Sequence, residues 1–204
     1  MIEKYTNEMI KVGELIYSFA LIDRHDFLPD GITLEKDTDH TVLLSVIACS
    51  VSDSLYKNKL DIGLVAQFAL VHDLVEVYSG DVLSFGLTEE EKKNKEYKEK
   101  EALEKIKIKF NSVFPWIGKT IEEYESLSSS EARFVKILDR FMPKVRHVLN
   151  NGAFFKNNKI TKDKTDSFFQ NQYQELFEKY NDEFPELFDI LKDINKKVIE
   201  KSYD

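Results

Sequence analysis

Residues 61–81 read DIGLVAQFALVHDLVEVYSGD, and they contain a physical contradiction that decides how the chain is read. From Ile62 to Val71 almost every position is apolar around the whole helical circumference, the pattern of a segment buried on all sides. His72, Asp73 and Glu76 then interrupt it. An ionised carboxylate in such surroundings is costly unless a cation or several donors compensate it. Glu76 follows the pair by three and four positions and so shares its helical face. Asp61 is a suitable N-cap and Gly80 a suitable stop, so the spacing predicts one central helix over 61–80 with Asp81 just past its end. A neutral imidazole and a carboxylate on adjacent positions can both lean on one divalent ion, which removes the cost.

Two residues elsewhere pose the same question. His40 stands just before the apolar run VLLSVIA, and Asp139 lies among Phe134, Val135, Leu138, Phe141 and Met142. Singly, each has an ordinary explanation: a helix cap for His40, an ion pair with Lys136 or Arg140 for Asp139, a lysine partner for Glu76. Together they require several separately satisfied polar groups inside the most apolar helices of a small protein. Four N/O ligands from three helices, converging in a bundle, make a metal site with room for water.

The remainder reads as helix. An apolar stripe (Ile10, Leu15, Ile16, Phe19, Ala20) predicts a first helix from about Glu3 to Ile22, and RHDFLPDGITLEKDTD follows as an irregular stretch broken by Pro29 and Gly31. Thr38 or Asp39 caps the helix that carries His40. Thr88 with Glu91, and Ser128 with Glu131, have capping-box spacing. They open a charge-rich helix to Phe110, read as a solvated face, and a helix over EARFVKILDRFMPKVRHVLNN that Pro143 kinks or interrupts. A short helix is expected around Ile121–Leu127, and two amphipathic ones near Ser167–Tyr180 and Pro185–Lys201. The expected fold is all-α, a single helical-bundle domain over residues 1–204 whose C-terminal helices, 165–204, complete the bundle.

Composition bounds the function. The formal net charge of −8 argues against a broad electrostatic grip on a nucleic-acid polymer, while leaving room for a small anion beside a metal ion. Cys49 is the single cysteine, so no internal disulfide forms, as suits a reducing compartment. The N-terminal stretch alternates charged and apolar residues with no uninterrupted apolar core, so neither a signal peptide nor a membrane span is expected there, and the cytoplasm is the expected location.

The order His40…His72–Asp73…Asp139 resembles the H…HD…D signature of the HD-domain metal-dependent phosphohydrolases. HDLVEVYSGD is similar to the HDxxExxxGD segment of the branch that contains bacterial 5′-deoxynucleotidases and the HD-domain-containing protein 2 group. The likeness runs from about Leu21 to Leu149 and includes Arg24 and the stretch VKILDRF. It implies an HD domain in which His40, His72, Asp73 and Asp139 bind one divalent ion (Mn, Co, Fe, Ni, Zn or Mg). It further implies that Glu76 orients or deprotonates the attacking water, that Asp81 assists near the leaving group, and that Arg24 meets the substrate phosphate. The implied reaction is hydrolysis of (deoxy)nucleoside 5′-monophosphates to nucleoside and phosphate. Hydrolysis of another small phosphorylated nucleotide, or nucleotide binding around a structural metal, are the alternatives. A homodimer is a further expectation. The sequence departs from the branch at His25, where a bulky aromatic is common, and carries no histidine between Asp73 and Asp139, as one metal rather than two requires. His147 is expected to be structural or exposed.

Overall fold

The computed structural model describes residues 2–203 and is mostly helical. By its internal contacts the chain divides into two compact units. One comprises the segment through Arg24 with Lys36–Val135, the other His25–Glu35 with the residues from Lys136 onward.

The first unit begins with α1 (Ile2–Phe19). Its buried line is Glu8, Leu15 and Phe19, whereas Ile10 and Ile16 of the expected stripe face outward. Lys11 donates to the Glu8 carboxylate at 2.6 Å, which is how a charged group sits on the buried side. The stretch expected to be irregular forms a two-stranded sheet, β1 (Asp23–Phe27) with β2 (Leu34–Lys36). Asp30 closes the connection: its Oδ1 accepts from the Ile32 and Thr33 amides, both at 2.9 Å, and Gly31 takes φ 71°. Pro29, Asp30 and Gly31 are turn residues, but two strands this short show little alternation to read.

α2 (Asp37–Leu55) starts earlier than Thr38 or Asp39 would allow as caps. Asp39 instead sits inside the first turn and accepts from the Lys36 amide at 3.1 Å. α3 (Ile62–Val71) has the expected cap, with Asp61 Oδ1 accepting from Gly63 at 2.7 Å and Leu64 at 3.2 Å. The predicted 61–80 helix does not run on: regular bonding stops at Val71, and a separate turn, α4 (Glu76–Ser79), follows. α5 (Glu89–Phe110) carries the Thr88–Glu91 capping box as expected. α6 (Trp116–Glu125) begins before the expected Ile121. α7 (Ser130–Leu149) starts at Ser130, with Ser129 Oγ accepting from Ala132 at 3.1 Å. Glu131 caps a neighbour instead, accepting from the Asp61 amide at 3.0 Å. α7 passes through Pro143 without interruption.

The core of this unit gathers Leu15 and Phe19 from α1, Val71, Leu74 and Val75 from the central segment, Ala102, Ile106 and Phe110 from α5, and Ile117 and Ile121 from α6. Each such side chain contributes about 1.5–3 kcal/mol by leaving water. The central segment is thereby pinned on the side opposite its polar residues. By length and composition Ile62–Ser79 would also pass for a membrane span. With its regular helix ending at Val71 and three ionisable groups drawn together on it, we read it as the heart of this unit.

In the second unit, α8 (Ala153–Asn157), which the sequence reading did not anticipate, precedes α9 (Lys162–Tyr180) and α10 (Pro185–Tyr203). Phe155 packs edge-on against Phe154 and Phe169, and Phe188 against Tyr173 and Phe177. Gly152 is the tightest point. It holds φ 70°, and an added Cβ would lie 2.2 Å from Ser202 Oγ and 2.9 Å from Ser202 Cα. Gly152→Ala is therefore expected to lower stability by about 3 kcal/mol, from left-handed strain and overpacking together, as read by urea unfolding. An unchanged midpoint would show that α10 yields.

Candidate metal centre

The backbone after α3 explains why the polar residues converge. Leu74 bonds to Val71 at 3.1 Å, Glu76 to Asp73 at 2.9 Å and Tyr78 to Val75 at 3.0 Å, all from residue i to i−3. His72 and Val75 keep right-handed helical angles, so the turn is tightened rather than broken. In a 3₁₀-like turn residues i and i+3 eclipse, which keeps Glu76 and Asp73 on one face of the segment.

His72 is buried, and its Nδ1 lies 2.8 Å from the Ala69 carbonyl. A carbonyl only accepts, so Nδ1 carries the hydrogen and the Nε2 lone pair faces the opposite way. Nε2 points at Asp73 Oδ2, 3.0 Å away. His40, fully buried on the first turn of α2, brings its own Nε2 to 3.8 Å from the same oxygen, and the two imidazole centroids are 5.2 Å apart. One ligand atom from each of His40, His72 and Asp73 lies within 4.8 Å of the others. Atoms that each bind one ion at about 2.0–2.2 Å are spaced by no more than this. Two imidazoles and a carboxylate, with one tautomer already set by the main chain, fit a divalent first-row ion. Asp139 stands half-buried on α7, within the second unit.

A second group of carboxylates adjoins the first. One oxygen each from Asp37, Glu76 and Asp81 lies within 4.8 Å of the others, and Asp37 and Glu76 are buried. Asp81 reaches them because Gly80 takes φ 75°, a turn that side-chain-bearing residues rarely make. Burial pushes the Glu76 carboxyl well above the usual carboxylate range; Asp73 adds to this and Arg24 opposes it. Burial likewise raises Asp37, to about 6, against the lowering effect of Arg24. Arg24 on β1 is the cation between the groups. Its Nη1 donates to Asp73 Oδ2 at 2.8 Å and to Asp37 Oδ1 at 3.0 Å. Burial disfavours its charge, but Asp73, Glu76, Asp81 and Asp37 together keep it protonated.

Two participants were missed by sequence reading. Asp37 precedes His40 by one helical turn on the same face, a signal that was available but hidden in a loop-like acidic run. Lys95, 3.6 Å from Glu76, sits in the charge-rich α5 with nothing in sequence to distinguish it from its neighbours. His147 is buried and structural: its Nδ1 is 3.3 Å from Asp26 Oδ2, its ring packs 4.4 Å from that of Phe155, and burial lowers its pKa to about 4.

This fold and this histidine–aspartate arrangement define the class: the chain belongs to the HD-domain family, whose profile matches residues 21–181. Among curated proteins it is similar to the 5′-deoxynucleotidase HDDC2 of Homo sapiens, with 32% identity over 52% of this chain and 50% of that protein. The Mus musculus protein of the same name is 32% identical over 52% of this chain and 51% of its own length. The chain thus matches about half the length of these relatives. Among solved structures it resembles a predicted metal-dependent phosphohydrolase from Magnetospirillum magnetotacticum, with TM-score 0.76, 22% identity and coverage of 98% of this chain and 94% of that one. It also resembles the PH0347 protein of Pyrococcus horikoshii, with TM-score 0.60, 26% identity and coverage of 97% and 99%.

Proposed function

We propose that this protein is a metal-dependent phosphohydrolase that converts (deoxy)nucleoside 5′-monophosphates to nucleoside and phosphate. The observation that carries the reading is a spare buried carboxylate: Glu76 lies one helical turn after the metal-ligand candidate Asp73 and shares the Arg24 guanidinium with it, at 3.8 Å and 2.8 Å. A purely structural site needs ligands but no spare buried carboxylates. His40, His72 and Asp73 hold the ion in this reading, and Asp139 completes the set by its place in the H…HD…D order. When bound, a divalent ion lowers the pKa of its water and polarises a phosphoryl oxygen. Glu76 takes the proton of the attacking water, a step its raised proton affinity favours. Asp81 assists on the leaving-group side. Arg24, held charged by its carboxylates, offsets phosphate charge. The nucleoside monophosphate class is supported by the names of the human and mouse relatives.

The test is phosphate release from a nucleotide panel by metal-stripped protein resupplied separately with Mn, Co, Mg and Zn. Metal-dependent release from deoxynucleoside monophosphates is the expected result. Pyrophosphate or triphosphate as product would replace the substrate class, and metal-loaded protein silent across the panel would remove the hydrolase reading.

A further inference from the structure

Two cations bracket the Glu76 carboxylate, one on each oxygen. Arg24 Nη1 lies 3.8 Å from Oε2, and Lys95 Nζ lies 3.6 Å from Oε1. Their settings differ. Arg24 is committed through the same Nη1 to Asp37 and Asp73. Lys95 comes from α5, which packs on α4, and its side chain remains 25% exposed. Lys95 also pairs with Glu99, one turn along its own helix at 3.3 Å. An ordinary surface ion pair of this kind contributes about 0–1 kcal/mol and needs no role. The partner here, however, is the buried Glu76.

The charge count gives Lys95 something to do. Asp37, Asp73, Glu76 and Asp81 cluster around one guanidinium, and a phosphate monoester brings a further charge of about −1.5 to −2. A water activated by Glu76 must lie about 3–3.5 Å from the phosphorus, so phosphoryl oxygens come to rest beside the Glu76 oxygens. A cation already against Oε1 reaches such an oxygen by a change of rotamer. An ammonium on a flexible stem suits this exchange of partners, because it acts as a point charge without the fixed fork of arginine. We propose that Lys95 binds the phosphoryl group of the substrate, passing from Glu76 Oε1 to a phosphoryl oxygen as the substrate enters. This rests on the phosphohydrolase reading.

Inorganic phosphate is the probe, titrated calorimetrically into the manganese-loaded protein, so that the readout does not depend on turnover. Lys95→Gln is expected to weaken phosphate binding about tenfold or more, the loss of a charge-assisted hydrogen bond. Its manganese content and circular dichroism should match the wild type. Lys95→Arg should recover most of the affinity. Lys98→Gln, which removes an exposed charge one turn away, should leave it unchanged. With nucleotide, Lys95→Gln should raise KM more than it lowers kcat. Wild-type affinity in Lys95→Gln, or an equal loss in Lys98→Gln, overturns the assignment while sparing the parent reading. Wild-type protein that holds manganese but neither binds nor releases phosphate overturns both.

Discussion

His72→Ala is expected to lose stoichiometric divalent metal and about a thousandfold in phosphate release, equivalent to roughly 4 kcal/mol of transition-state stabilisation. The expectation rests on the direction of the ring. The Ala69 carbonyl holds Nδ1 at 2.8 Å, so the whole ligating capacity of this side chain is the Nε2 lone pair aimed at the Asp73 oxygen. Truncation also opens a gap beside the Tyr124 ring, 6.3 Å away edge-on, and a buried void costs stability in its own right. His72→Gln, which retains most of the volume, therefore accompanies it. Metal content by elemental analysis and unfolding midpoints separate ligand loss from general loosening. A His72→Ala protein that keeps both metal and activity would remove this imidazole from the centre.

Glu76→Gln should behave in the opposite way with respect to metal. The substitution preserves shape and removes a buried carboxylate that is crowded by Asp73, Asp81 and Asp37, so folding and metal content should hold or improve. Phosphate release should fall by about 10²–10⁴, the usual worth of a positioned general base. Retained activity would return the water-activating role to another carboxylate, and Asp81, grouped with Glu76 and Asp37, is the next to substitute. The pair of variants forms a contrast: the first loses the ion and the chemistry, the second only the chemistry.

Much of this was legible before any coordinates. Burying a charge is so unfavourable that three ionisable residues in an apolar helix announce compensation wherever the rest of the chain goes. Caps act over three or four residues, so Asp61 at α3 and the Thr88–Glu91 box at α5 could be read locally. Local patterning failed where two faces competed. In α1, apolar residues lie on more than one side, and packing chose Leu15 and Phe19 while leaving Ile10 and Ile16 in solvent.

What the sequence by itself determined was thus the helical class and the residue types and order of the candidate ligands. The tertiary structure alone decided how those groups meet. It tightened the turn after Val71, set Arg24 against Asp73 and Asp37, and selected Lys95 from a run of similar lysines. The physical reason is range: helix periodicity, capping and the cost of a buried charge act within a few neighbouring residues. A distance such as that between Lys95 and Glu76 is set by how α5 packs on α4, which no local pattern encodes.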